Sequence, residues 1–290
     1  MKRREFLTRT LAGAGAVGLA SKALAWFPQV ASADTKFSAT DVVVLGRTGI
    51  RTSRLACGTG TQGSNNQSHQ TRLGIQGLAD LLCHGYDQGL RFWDCADSYG
   101  SHPHVAAALK RVPREKVTVL TKSWARDPER MRADLDRFRR ELGTEYIDVL
   151  LMHCLTDDDW PERYKGTMDA ISEAQEKGIV RAHGVSCHTL GALSAAAKSP
   201  WVQVVLARIN PVGAYMDASP DRVVPVLREM RAAGKGIVGM KILGQGELRN
   251  RPDEALKYAL SLGLLDAFTI GAENPAEQEN LIRRIAAVRI

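Results

Sequence analysis

Eight short apolar runs recur between residues 55 and 270, each followed by a stretch whose apolar residues fall at helical spacing. The runs are Leu55–Gly58, Leu90–Trp93, Val117–Leu120, Ile147–Met152, Val180–Val185, Val202–Ile209, Ile237–Met240 and Ala267–Ile270. The helical stretches lie over 71–88, 103–111, 127–142, 161–177, 189–198, 221–233, 253–262 and 275–288. A continuous apolar run of four to six residues belongs to a strand covered on both faces, and strand–helix alternation gives a parallel sheet. Eight units over about 255 residues fit a closed (β/α)8 barrel better than an open doubly wound sheet. Helix starts are marked by Pro128, Pro161, Pro220 and Pro275, since proline is tolerated where the helix leaves an N–H unpaired. The hydrophobic content of 44% is ample for one large core. Ahead of the first unit, "VVVLGRTGIRTSRL" (Val42–Leu55) predicts a hairpin around a Gly-Arg-Thr-Gly turn.

The first 33 residues read differently. "MKRREFL" is basic, with adjacent Arg3 and Arg4, and a small-residue apolar stretch, "LAGAGAVGLA", follows at Leu11–Ala20. Ala31–Ala33 fits a signal-peptidase site. Paired arginines before Phe-Leu resemble a twin-arginine export signal, which passes folded proteins to the export machinery. The expectation is therefore a signal peptide over 1–33, a barrel over 34–290, and a mature protein that is exported and periplasmic. The apolar stretch is Gly/Ala-rich and interrupted by Lys22, so no stable membrane span is expected. Residues 1–33 carry four of the chain's seven net positive charges. The remaining three give no case for nucleic acid. Five widely spaced cysteines (Cys57, Cys83, Cys95, Cys154, Cys187) do not form a disulfide framework. Nothing in the composition fixes the oligomeric state beyond a monomer or small homo-oligomer.

In a (β/α)8 barrel the chemistry sits where the strands end. "RFWDCADSYG" ends the second run at Asp94 and carries Tyr99 in the loop; "VTVLTKSW" ends the third at Lys122; "IDVLLMHC" ends the fourth at His153. One such polar residue is usually structural, but four from three successive strands form a constellation. A phenol has an ordinary pKa of about 10, too high for an acid at neutral pH. An ammonium nearby favours its ionised form, and a carboxylate keeps that ammonium charged. Asp94, Lys122 and Tyr99 thus read as a tuned acid that protonates a carbonyl oxygen, with His153 orienting that oxygen.

With "LGRTGIRTSRLACGTG", "FWDCADSYG", "VTVLTKSW", "YIDVLLMHC" and "RAHGVSCH" occurring in order, the chain resembles the aldo-keto reductases over about Val42 to Ala287. The resemblance implies a barrel floored by the hairpin and a catalytic tetrad of Asp94, Tyr99, Lys122 and His153. It also implies NAD or NADP at the barrel mouth and a small carbonyl or alcohol as substrate. By the same resemblance the coenzyme site takes in Ser186, Cys187, Leu206, Arg208, Met240, Lys241, Glu273 and Asn274. Several of these depart from the family pattern. Cys187 stands where an asparagine is usual, Leu206 where a glutamine faces the nicotinamide, and Met240 with Lys241 where a tyrosine stacks on it. Between Gly271 and Ile282 there is no Lys or Arg to grip a 2′-phosphate, and Glu273 suits a ribose hydroxyl, so NAD is slightly favoured. Arg208 and Lys241 are the alternative phosphate partners. Trp124 is a candidate wall for substrate stacking, and "DDDW" (Asp157–Trp160) reads as a loop and helix cap. His102 and His104 read as surface residues. The end of the chain soon after the last helical stretch suggests an open mouth suited to bulky or hydrophilic substrates.

Two other functions fit parts of the sequence. The altered nicotinamide contacts suit an exported sugar- or polyol-binding barrel that has lost turnover. Cys95, His153, Cys154, His183, Cys187 and His188 would suit a metal-dependent barrel enzyme, but their spacing matches no standard metal motif, and no metal site is expected.

Overall fold

A computed structural model describes residues 36–290; the export segment expected over 1–33 lies outside the described residues. Among the described residues, ten strands and nine α-helices follow one another. Strands β1 (Val42–Val44) and β2 (Arg51–Ser53) pair antiparallel as the hairpin, with Val43 opposite Thr52. Its turn needs glycine: Gly46 has φ +51°, and a Cβ there would lie 2.3 Å from the backbone nitrogen of Gly236. That close approach, with a hydrogen bond from the Gly46 N–H to Asp266 Oδ2 (3.0 Å), seats the hairpin under the barrel. Leu45 and Ile50 fill the floor.

The barrel strands are β3 (Leu55–Gly58), β4 (Phe92–Asp94), β5 (Thr118–Ser123), β6 (Ile147–Leu155), β7 (Val180–Cys187), β8 (Val204–Arg208), β9 (Gly236–Met240) and β10 (Ala267–Ile270). All pair in parallel, and β10 closes on β3 through Phe268–Leu55 and Ile270–Cys57. The (β/α)8 fold is thus a closed sheet, with every expected run forming one strand. The helices are α1 (Gly74–Asp87), α2 (His102–Leu109), α3 (Pro128–Leu142), α4 (Trp160–Arg163), α5 (Lys165–Glu176), α6 (Leu190–Lys198), α7 (Pro220–Ala232), α8 (Pro252–Ser261) and α9 (Pro275–Ala287). The stretch expected as one helix over 161–177 breaks at Tyr164, whose backbone is not helical (φ −108°, ψ 25°) and whose hydroxyl donates to Asp157 Oδ2 (3.1 Å).

Strand parity divides the core in two. Phe92, Leu120, Val149, Leu151, Ala182, Val204, Leu206 and Val238 fill the barrel interior. Their neighbours Trp93, Val119, Leu150, Val185 and Val205 pack outward against the helices. Side chains two residues apart share a face. Asp94 therefore follows Phe92 inward, Lys122 follows Leu120, and His153 follows Leu151, which places all three over the interior at its open end. No described helix is long and apolar enough to cross a membrane. All five cysteines are free thiols.

Candidate active site

Lys122 is fully buried, and its ammonium donates to Asp94 Oδ1 at 2.5 Å and to the Cys95 carbonyl at 2.7 Å. A buried ammonium is tolerated only when its charge is matched and its donors are used. Burial alone would depress the Lys122 ammonium, but the Asp94 carboxylate, with Tyr99 and Cys95 beside it, holds it above its ordinary value. Tyr99 reaches the same place from the loop. After β4 the chain makes a single 3-10 turn, Asp97–Tyr99, stopped by Gly100 in the left-handed region (φ +64°). Arg137 on α3 grips both carboxylate oxygens of Asp97 (2.9 and 3.0 Å), tying that turn to the helix layer. The Lys122 nitrogen then lies 4.8 Å from the centre of the Tyr99 ring.

The ring is held from its other side by two glycines that sequence reading missed. A Cβ on Gly60 would sit 2.2 Å from Tyr99 Cε2, and one on Gly63 would sit 2.3 Å from Cδ1. Only backbone without side chains fits there. Both belong to the β3–α1 loop, which buried Gln70 pins by accepting from Thr61 N (2.9 Å) and donating to the Ala272 carbonyl (3.4 Å). The "GTGTQG" run was the available signal, but it points to no partner without the fold.

The phenol differs from the expectation. Burial pushes the Tyr99 hydroxyl up, and the opposing pull of Lys122 does not bring it below its ordinary value. Tyr99 is therefore a protonated donor at neutral pH, with a cation beside it for the phenolate that proton loss would leave. His153 meets Tyr99 edge-on (5.8 Å between ring centres) and Trp124 at 5.1 Å. Burial, then the nearby Lys122 charge, pushes its pKa well below the ordinary imidazole value, so the ring is neutral. Its Nδ1 is buried with no hydrogen-bond partner.

These groups open into a cleft of about 740 Å³ lined by Tyr99, Trp124, His153, His188, Met240 and Lys241, with the loop from Gly60 to Asn65 along one edge. Trp124 is 49% exposed and presents its ring. His188, considered in the sequence only as a metal ligand, faces this cleft. Among the described residues no three His, Cys, Asp or Glu side chains cluster so as to hold a metal.

The other expected coenzyme contacts are scattered. Ser186 follows Ala182 and Gly184 on the inner face of β7, and its hydroxyl accepts from the Cys154 N–H at 2.8 Å. Cys187 takes the opposite parity and is fully buried in the layer between barrel and helices. Leu206 and Met240 belong to the barrel interior. Arg208 is inward by parity but is engaged by Asp217 through Nε at 2.8 Å and through Nη2. Glu273 accepts from or shares a proton with His69 Nδ1 at 2.9 Å. Asn274 caps α9 by accepting from the Glu277 N–H at 2.9 Å. A nicotinamide nucleotide fits these surroundings in two respects. The cleft is of the size that holds small molecules, and the Met240 thioether offers a polarizable face to a planar ring.

His102 and His104 are corrections. His102 is 1% exposed, between Glu141 Oε2 (2.7 Å from Nδ1) and Thr121 Oγ1 (2.7 Å from Nε2). Burial opposes its charge, but the nearby Cys95 and the Glu141 carboxylate it bonds raise it to about 9. His104 is also buried.

A closed parallel barrel thus carries a buried Lys–Asp pair, a tyrosine and a neutral histidine together at one cleft. The family is settled by sequence. Residues 54–279 match the family model described as "Aldo/keto reductase family", and the chain belongs to that family. It is 27% identical over 230 residues to a Glycine max protein named "Probable aldo-keto reductase 1", covering 70% of this chain and 60% of that one. It is 32% identical over 123 residues to human "Aldo-keto reductase family 1 member A1", covering 34% of this chain and 38% of that one. The chain thus spans between about a third and three fifths of the length of these curated relatives. Among solved structures, a Bacillus halodurans aldo-keto reductase in its holo form superposes with a TM-score of 0.72 at 16% identity, covering 88% of this chain and 93% of that one. A Bombyx mori aldo-keto reductase in complex with NADP superposes at 0.65 with 18% identity, covering 86% and 88%. Both share the fold.

Proposed function

We propose that this chain is an NAD(P)(H)-dependent oxidoreductase that interconverts a carbonyl and an alcohol. The observation that carries the reading is the buried Lys122–Asp94 pair, 2.5 Å apart, beneath a tyrosine that two glycines hold against it. A reduced nicotinamide coenzyme, when bound, would supply the hydride that the carbonyl carbon receives. The Tyr99 hydroxyl donates its proton to the carbonyl oxygen as negative charge gathers there, and Lys122 stabilises the phenolate that remains. Asp94 keeps Lys122 charged and aimed. Neutral His153 has one ring N–H to orient the same oxygen. In the alcohol direction Tyr99 acts as the base. Trp124 forms a wall for the substrate body.

Met240, Leu206, Ser186, Glu273 and Asn274 are the residues proposed to meet the coenzyme, with NAD favoured over NADP because Glu273 stands where a phosphate would need a cation. We further propose that residues 1–33 direct twin-arginine export, so that the barrel acts in the periplasm after cleavage near Ala33. A second reading, a sugar- or polyol-binding barrel without turnover, is favoured by one observation: Cys187 turns away from the cleft and supplies no contact to a nicotinamide.

Fluorescence titration of the protein with NADH and with NADPH, followed by aldehyde-dependent loss of reduced-coenzyme absorbance, tests the reading. Coenzyme binding with turnover is expected. Failure to bind either nucleotide, with retained binding of a sugar or polyol, would favour the second reading.

A further inference from the structure

The charges around the cleft are unevenly matched. Lys122 is balanced by Asp94, and Arg208 by Asp217, whose side chain is fully buried. Lys241 has no such balance. Among the described residues its ammonium reaches only the neutral Gln245 Oε1 at 2.8 Å, and no carboxylate lines the cleft it enters. Arg126, over the Trp124 ring, donates to the Ala125 and His153 carbonyls and, among the described residues, likewise forms no ion pair with a carboxylate. The cations that bear on His153 are Lys122, Arg126 and Lys241; His188, pushed down to about 4 by burial, is neutral. Those acting on Lys241 itself are Arg208 and Lys122, with Asp94 opposed but already committed to Lys122.

Lys241 is also placed with care. Its backbone is left-handed (φ +59°), an unusual conformation for a residue with a Cβ. Fully buried Asn210 holds it there. Asn210 Nδ2 donates to the Lys241 carbonyl (3.1 Å) and to the Ala214 carbonyl (2.8 Å), while Oδ1 accepts from Val212 N (3.2 Å) and Ala214 N (3.1 Å). The Gly244 N–H adds a second hydrogen bond to the Lys241 carbonyl at 2.8 Å. Backbone in this region costs energy and persists where its surroundings over-determine it. What the arrangement delivers is an ammonium in the same cleft as Tyr99, His153 and the exposed ring of Trp124.

We propose that Lys241 anchors a negatively charged group on the substrate, so that the cleft selects carbonyl compounds bearing a carboxylate. The inference rests on the oxidoreductase reading and moves Lys241 from the coenzyme to the substrate. An ammonium whose acceptor is neutral gains most from an anion in a partly desolvated cleft, because attraction between opposite charges strengthens as the surrounding dielectric falls. The planar body of such a substrate would lie against Trp124, with its carbonyl oxygen between Tyr99 and His153.

The test compares 4-carboxybenzaldehyde with its neutral isostere 4-carbamoylbenzaldehyde, at saturating reduced coenzyme, in wild type, Lys241→Met and Lys241→Arg. Wild type is expected to favour the acid by about tenfold to a hundredfold in kcat/KM, the worth of one hydrogen bond to a charged group. Lys241→Met should bring the ratio close to one, chiefly through KM, and Lys241→Arg should keep most of it. Coenzyme Kd, read by fluorescence in the same variants, separates the other anion present. A Lys241→Met variant that loses coenzyme affinity and slows both aldehydes alike would assign the ammonium to the coenzyme's phosphates and overturn the proposal. A ratio unchanged by Lys241→Met would overturn it as well. Calorimetric titration with 4-(hydroxymethyl)benzoate and 4-(hydroxymethyl)benzamide provides a reading without turnover. Tighter binding of the acid, lost in Lys241→Met, supports the anion site even if no aldehyde is reduced, in which case the oxidoreductase reading alone fails. Equal binding of the two contradicts the site.

Discussion

The two halves of the barrel mouth are built on different terms. On the side of β4 to β6, three groups are fixed by partners: Lys122 by Asp94 and the Cys95 carbonyl, Asp97 by Arg137, and the Tyr99 ring by the bare backbone of Gly60 and Gly63. On the side of β8 and β9, the interior is finished by Leu206 and Met240, and Lys241 projects with a single neutral partner. Proton transfer falls off steeply with misplacement, so the groups that would perform it are over-determined. On the opposite wall Asn210 fixes the Lys241 backbone and Asp217 engages Arg208, but the Lys241 ammonium is committed to no opposite charge among the described residues and has room for variation in what it binds. On the proposed function, the contrast assigns chemistry to one wall and selectivity to the other.

Breaking the fixed wall should cost the most. Lys122→Met leaves Asp94 buried without its counter-charge, a change expected to destabilise the fold by about 3–5 kcal/mol. Turnover should be lost with it. Thermal unfolding alongside activity checks this, and an unchanged Tm would mean that the pair is not the matched buried pair described. Gly60→Ala places a methyl within the Tyr99 ring while leaving Lys122 and Asp94 paired. It should lower kcat/KM by about tenfold to a hundredfold, the scale of a misplaced reacting group, with little loss of thermal stability. Comparable activity would show that the glycines do not set the phenol's position.

The pH profile sharpens the same contrast. Reduction needs Tyr99 protonated, and burial raises its pKa. The rate should therefore stay level through neutral pH and fall only above the ordinary phenol value of about 10. Neutral His153, its pKa pushed well down, adds no step near neutrality. A basic limb near pH 7 would contradict a raised phenol. On the variable wall the effects should be smaller. Glu273 is about half exposed and touches His69. Glu273→Lys should shift the NADPH-to-NADH preference toward NADPH by about tenfold, as replacing a carboxylate with a cation beside a ribose 2′ position implies. No shift in the ratio of the two Kd values would remove Glu273 from the coenzyme site.

The parts legible in the sequence were those governed by local periodicity. Continuous apolar runs gave the eight strands, and the polar residue ending each run gave Asp94, Lys122 and His153, because parity within a strand fixes direction without knowledge of the neighbours. What remained hidden depends on chain distant in sequence. His102 looked solvated beside a loop, but Thr121 and Glu141 close around it. Arg208 looked free to meet a phosphate until the β8–α7 loop brought Asp217 to it. Gly60 and Gly63 read as ordinary loop glycines, since nothing near them in sequence names Tyr99 as the ring they admit. Cys187 was the subtler case: its strand was expected, but its parity against Ser186 turns it into the helix layer.

The most direct measurement is single-turnover reduction by Tyr99→Phe preloaded with reduced coenzyme. Loss of about a hundredfold to ten-thousandfold in the hydride-transfer rate, the usual worth of a positioned general acid, is predicted, with coenzyme Kd and thermal stability close to wild type. A variant that binds coenzyme and transfers hydride at nearly the wild-type rate would contradict the assignment of the proton to Tyr99, and with it the meaning given to the buried pair beneath its ring.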